Sequence, residues 1–282
     1  MGFSSVEHLL EAAGQCGSLW QAVLLDDCAD RGVSREVSFA KMSRLWQAMK
    51  ESVAAYDPAR RSASGLSGGD GAKMEQAADP LCGPFLQEVM ATAMKVGECN
   101  ACMGRIVAAP TAGASGVVPA VLIPLQKRMG YSDEEMTHAL YVAAGFGQVI
   151  ATRASISGAE GGCQAEIGSA SAMSAAALVH LRGGSAQQMA FACATALQNL
   201  LGLVCDPVGG LVELPCIKRN VIGAMGALSA ADLALAGIVN RIPCDEVIDA
   251  MAAVGHALPS SLRETGEGGL AATPTARKLT ET

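Results

Sequence analysis

The chain has 282 residues, half of them hydrophobic but only 4% aromatic, with 32 glycines, which is material enough for a buried core in one or two domains. Its net charge of −7 excludes the broad basic face that nucleic acid or anionic lipid requires, so a small substrate is the expected ligand. Little of the sequence alternates with period two, and an apolar fraction made chiefly of Ala, Leu, Val and Met favours an all-α fold of closely approaching helices.

Residues 4–29 and 34–56 read as two amphipathic helices, an N-terminal pair expected to pack on the rest of a single catalytic domain spanning 1–282. In the second, Val37, Met42, Leu45, Trp46 and Met49 recur at helical spacing behind Ser34, a candidate cap. Met1 to Leu10 contains Glu7 and no sustained apolar run, so no secretory signal is read, and the ten cysteines are expected to be reduced in cytoplasm. DPARRSASGLSGGDG (57–71) has turn residues throughout, and its GGD element points to an ordered loop rather than a linker.

A helix is predicted over 84–105, ended by APTAGASG (109–116); an apolar stretch carrying Pro119 and Pro124 follows. Ser132 with Asp133, Glu134 and Glu135 reads as a capping box opening a helix to about Thr152. Further helices are expected over 165–182, 185–201, 218–239 and 244–256, with a loop-like tail from Leu258. Val221–Val239 is apolar enough to pass a crude test for a membrane span. It is rich in Ala and Gly with Asp232 inside it, so a buried core helix is expected, and no membrane partner.

The unusual residues fall in the loops. SGAEGGCQAE (157–166) sets Cys163 among glycines between Glu160 and Glu166; Cys205 stands in LVCDPVGGL and Cys216 in ELPCIKRN. Three thiolates on three turns could cradle an iron cluster and leave one metal corner open to substrate. Residue types alone equally allow three unrelated buried thiols, or zinc, although zinc sites usually gather closely spaced pairs and a fourth ligand. Cys99 and Cys102 form a CxxC inside a predicted helix with no second pair, and read as structural, as do Cys16, Cys28, Cys82, Cys193 and Cys244.

APTAGASG matches neither nucleotide-binding glycine pattern, yet its amides suit a small carboxylate, so Thr111, Gly113 and Ser115 are candidate substrate contacts; a plain turn between helices is the alternative. His8, His138, His180 and His256 have no metal-ligand spacing. Only Lys73 and Lys218 lie beside loops of interest, neither in a setting suited to a pyridoxal phosphate (PLP) Schiff base, so no PLP is expected.

Taken together, SGLSGGDGAKM, ECNACMGRIVAAPTAGASGVVPAVL, SISGAEGGCQAEIGSASAM, LVCDPVGGLVELPCIKRN and LRETGEGGLAATPT resemble the alpha chain of iron-sulfur L-serine dehydratase, also called L-serine deaminase, from about residue 4 to the end. The resemblance implies an all-helical catalytic domain holding a 4Fe-4S cluster through Cys163, Cys205 and Cys216, and conversion of L-serine to pyruvate and ammonia without PLP. It also implies a separate beta chain with an ACT-like domain as partner, and an oligomeric assembly is expected. Arg219 and Asn220 join the candidate substrate contacts, and Asp70, Lys73 and Lys218 are candidates for the catalytic base. Two departures stand out: the cysteines at 99 and 102, where the family usually has apolar or small residues, and the ending RKLTET, with no cysteine after Cys244. Water, substrate or the partner is then expected at the fourth metal corner. Threonine or cysteine as substrate, or a non-catalytic helical metal-binding subunit, are the competing readings.

Overall fold

A computed structural model describes residues 2–281; Met1 and Thr282, which bound the expected domain, lie outside the described residues. The fold is all-α, and among the described residues there is no strand, only one isolated bridge between Cys205 and Arg263. The N-terminal pair is in fact three helices. Ser5 caps α1 (Val6–Cys16), which stops at left-handed Gly17, and Ser18 caps α2 (Leu19–Arg31). The apolar periodicity runs on across Gly17, so the break leaves no trace in the pattern.

α3 (Arg35–Ala54) starts at the expected Ser34 cap. It is fastened by Asp133, whose carboxylate accepts bonds from Lys50, Trp46 and Gln47 of α3 and from Gln126. Lys50 and then Gln126 do most to hold this carboxyl well below the usual carboxylate range, against the opposing effect of burial.

The 57–69 segment is an ordered loop closed by Ser62 N donating to Ser67 O at 3.0 Å. It leads into a short helix that the sequence reading passed over, α4 (Asp70–Gln76). α5 (Gly83–Ala101) ends before the expected 105, because Met103 turns left-handed and Gly104 N returns to Cys99 O at 2.7 Å. α6 (Val117–Met129) and α7 (Asp133–Arg153) follow, the latter with both bonds of the Ser132/Glu135 capping box. A single turn, α8 (Gly158–Gly161), precedes Cys163.

The core is organised around α9 (Ser169–Leu181), buried from Ser169 to Val179 and packed against α6, α7, α10 (Ala186–Gln198) and α11 (Cys216–Leu235). A helix with neighbours on every side cannot be amphipathic, and its Ala and Ser residues let those neighbours approach. Its Ser171 Oγ donates to Gly223 O of α11 at 2.8 Å, so the hydroxyl is satisfied inside the core. On α11, Gly223, Ala224, Ala227, Ala230, Ala231 and Ala234 are buried while Ile222, Asp232 and Leu233 face out. It is therefore a half-buried core helix, and no helix among the described residues is long and apolar enough to cross a membrane.

The tail beyond α12 (Cys244–Ala257) is not the loose loop expected. It contains 3₁₀ turns at Ser260–Leu262 and Gly269–Ala272 and ends in α13 (Pro274–Thr280). Its order comes from contacts with residues 205–210, far away in sequence, as described below.

Candidate active site

Cys163, Cys205 and Cys216 are all buried, at 3%, 2% and 8% exposure, and lie within electrostatic reach of one another. Each is positioned differently. Cys163 sits where α8 gives way to a π-turn, Gln164–Gly168, which runs into α9; such widened turns are frequent at functional sites. The turn is pinned by Gln164, which is fully buried. Its backbone N donates to Leu203 O, its Nε2 donates to Met251 O, and its Oε1 accepts from Gly202 N, all at 2.9–3.0 Å.

Cys205 is held by the tail. Its N donates to Leu262 O at 2.9 Å and its O accepts from Glu264 N at 2.8 Å, forming the bridge to Arg263. Asp206 adds a second fastening, with one carboxylate oxygen accepting from Leu270 N at 2.7 Å. A Cβ on Gly269 would stand 2.3 Å from that oxygen, so the strap closes only with glycine there. Cys216 is the first residue of α11, where the helix dipole favours a thiolate.

Arg219 joins these parts. Its Nη1 donates to Val204 O, its Nη2 pairs with Asp206 Oδ1 at 2.8 Å, and its guanidinium reaches the Cys163 thiol. Glu166 is the carboxylate nearest the cysteines, with Oε2 3.9 Å from Cys205 Sγ and Oε1 accepting from Thr111 Oγ1 at 2.7 Å. Gly158 makes this approach possible, since a Cβ there would lie 2.7 Å from Glu166 Oε2 and 3.0 Å from Cys205 Sγ.

Burial dominates the acid–base behaviour of the group. It pushes the Cys163 thiol up to about 12, against the opposing pull of Arg219, and the Cys216 thiol up to about 11. Cys205 is raised further by burial and by the neighbouring thiols and carboxylates, and burial also raises Glu166. Without a cation these thiols stay protonated; a metal supplies the positive charge that makes their ionisation favourable. Among the described residues no three Cys, His, Asp or Glu side chains converge closely enough for a single ion. Three buried thiols on separate segments, within electrostatic reach of one another, suit a core of several metals better than a single ion. The donor set fits such a group.

The other expected contacts divide in two. Thr111 and Gly113 border Glu166, and Ser115 Oγ is buried without a partner. Asn220 holds this loop in shape, accepting from Gly116 N at 2.9 Å and donating to Gly113 O and Cys216 O. Its amide is fully engaged with backbone. Asp70 and Lys73 instead pair with each other at 2.7 Å, Lys73 being 78% exposed, and Lys218 faces solvent on α11. The loop before Asp70 is tied to the cysteine segments by Glu213, which accepts from Ser62 and Ser64 at 2.8 Å.

Sequence reasoning left Gln164, Glu166, Asp206 and Glu264 out of the site. Glu166 and Asp206 carried a signal, standing in the same glycine-bearing stretches as two of the cysteines. Cys99 and Cys102 lie at the end of α5 with thiols raised chiefly by burial, and no histidine or further cysteine completes a metal set there. His138 stacks on Trp20 at 3.8 Å beside an apolar groove of about 570 Å³ that holds none of Cys163, Cys205 and Cys216.

The family profile described as serine dehydratase alpha chain matches residues 13–271. The sequence is 47% identical over 281 residues to a probable L-serine dehydratase alpha chain of Bacillus subtilis, covering 98% of this chain and 94% of that one. It is 56% identical over 191 residues to a probable L-serine dehydratase alpha chain of Latilactobacillus sakei, covering 68% and 91%. Against an L-serine dehydratase of Mycobacterium tuberculosis it is 45% identical over 202 residues, 69% of this chain but 44% of that longer protein.

Proposed function

The chain belongs to the serine dehydratase alpha chain family, and from that premise we propose that it is the alpha chain of an L-serine ammonia-lyase whose site holds a 4Fe-4S cluster on Cys163, Cys205 and Cys216. The observation that carries the cluster reading is that these three buried cysteines, on three separate segments, lie within electrostatic reach of one another, with raised thiols that a bound cation would relieve.

When bound, the cluster supplies a Lewis acid for the serine hydroxyl, which otherwise leaves poorly. The chain's own residues do the rest. Thr111 orients Glu166 by the bond to Oε1, leaving Oε2 on the cysteine side as the carboxylate that receives the substrate ammonium. The 111–116 loop, shaped by Asn220, offers the backbone amides of Ala112 and Gly113 and the unpaired Ser115 hydroxyl to the substrate carboxylate. Arg219 is occupied with Val204, Asp206 and Cys163, so its part is to brace the cysteine loops. Asp70, Lys73 and Lys218 face solvent, and this reading gives them no role within the chain alone. Loss of the α proton and of water gives aminoacrylate, which tautomerises to the imine and hydrolyses to pyruvate and ammonia, without net oxidation.

A separate beta chain with an ACT-like domain completes the enzyme. Support comes from the two alpha-chain relatives, matched over nearly their whole length, beside a longer relative of which less than half is matched. The test is anaerobic co-expression with that partner, followed by iron and sulfide analysis and a pyruvate assay. Brown protein that forms pyruvate from L-serine and loses activity in air is expected. Full activity in air with bound PLP, or zinc in place of iron, overturns the reading, and preferential turnover of threonine or cysteine corrects the substrate.

A further inference from the structure

On the other side of the cysteine loop lies a second cavity, of about 430 Å³, between the end of α7, the α8 turn and α12. Its charged and titratable lining comprises Arg153, Glu160, His256 and Arg263. Arg153 is already committed, donating to both carboxylate oxygens of Asp249 and pairing with Asp245. Arg263 is not: its Nε is buried and has no hydrogen-bond partner. A buried guanidinium nitrogen without an acceptor is costly, and a carboxylate is the ligand whose geometry matches the guanidinium fork. Glu160 supplies the opposite charge in the same lining. An uncommitted cation and a carboxylate lining one cavity complement a zwitterion.

The position of Arg263 gives an occupant a route to the cysteines. Its backbone is bridged to Cys205, and the next residue, Glu264, adopts φ 65° and is felt electrostatically by Glu166, Cys205 and Cys216. A non-glycine residue in that conformation persists only where its surroundings hold it. We propose that this cavity binds a small amino acid, its carboxylate on Arg263 and its ammonium toward Glu160, and that occupancy tightens the 262–264 strap on Cys205. This cavity, whose Gly161 and Ala165 flank Cys163, is taken as distinct from the catalytic site, and its alanine test does not depend on the catalytic reading.

L-alanine is the probe, because it has no hydroxyl to eliminate. Calorimetric titration of the full chain should give one saturable site, unchanged after iron is removed with a chelator. Arg263→Gln should weaken it by about tenfold or more, the expected loss for a charge-assisted pair. Because that variant could also loosen the strap, Glu160→Gln is the second probe: it lies on the exposed α8 turn, and it should weaken alanine several-fold while leaving propionate, which lacks the ammonium, unaffected. Alanine should also slow hydrogen exchange at the amides of Cys205 and Glu264. No saturable binding, parental affinity in both variants, or binding that disappears with the iron overturns the proposal. Arg263-dependent alanine binding in a chain whose assembly with the beta partner forms no pyruvate from serine would leave this inference standing and sink the catalytic reading; the reverse result would do the opposite.

Discussion

Two loop systems carry most of the polar residues in glycine-rich sequence, and they behave in opposite ways. Around 203–220 the carboxylates and the guanidinium are buried and committed, as in the Asp206 contacts to Arg219 and Leu270. Around 57–76 the loop is ordered, but the side chains of Asp70 and Lys73 pair with each other at the surface. Both stretches combine Gly with charged residues and look alike as text. The difference is enclosure: a charge removed from water must find a partner, and that requirement builds a precise site, whereas a surface pair is screened and weakly constraining.

The contrast can be broken most sharply at the cysteines. Cys205→Ser, with Cys163→Ser and Cys216→Ser beside it, should abolish iron content and pyruvate formation together, a loss beyond the ~10–100-fold typical of groups that only support a ligand. Retained iron in any one variant would remove that cysteine from the set. Gly158→Ala comes next. Its methyl would crowd both Glu166 and Cys205, and turnover should fall by roughly 10–100-fold with faster iron loss to a chelator. Gly65→Ala, in the open loop where nothing lies near, should leave turnover and iron retention unchanged, with only a small stability cost for its positive φ.

Stability separates the regions too. Arg219→Met leaves Asp206, 3% exposed, without its ion-pair partner and should cost about 3–5 kcal/mol in urea unfolding, as breaking a buried pair does. Burial raises Glu166 in the folded chain, so the iron-free protein binds that proton more tightly folded than unfolded. The stabilisation is present below the ordinary carboxylate pKa of 4.5 and is lost as pH rises through the folded value. Glu166→Gln should flatten this dependence in the chelated chain, and an unaltered profile would show that Glu166 is not the group responsible. The smallest effect is expected at Lys73→Ala, with turnover within about twofold of the parent, as for an exposed pair. A larger loss would mean that the beta chain recruits the exposed loop.

Local features were legible in the sequence. Ser34 and the Ser132/Glu135 box mark real helix starts because a cap is satisfied within three residues, and the three cysteines stood out by their glycine-rich settings. What escaped detection was tertiary. Gln164 fastens backbone from two other segments, the tail clasps Cys205, and Arg263 is set apart by a missing partner; none of these has a periodicity or a near neighbour in the chain to betray it. Gly17 ends a helix within an unbroken apolar pattern, and the break is marked by its left-handed backbone and the Ser18 cap that follows.

The strap over Cys205 and Asp206 also sets a timetable. Every residue it clasps is synthesised before it, so a nascent chain halted short of Leu270 already holds all three cysteines but lacks the Leu270 amide that ties down Asp206. If the proposed cluster is the occupant, iron delivered at that stage would meet an unfinished cup. Its loading would then follow the passage of translation beyond the strap, and ribosome-bound chains should take up iron poorly beside the released protein.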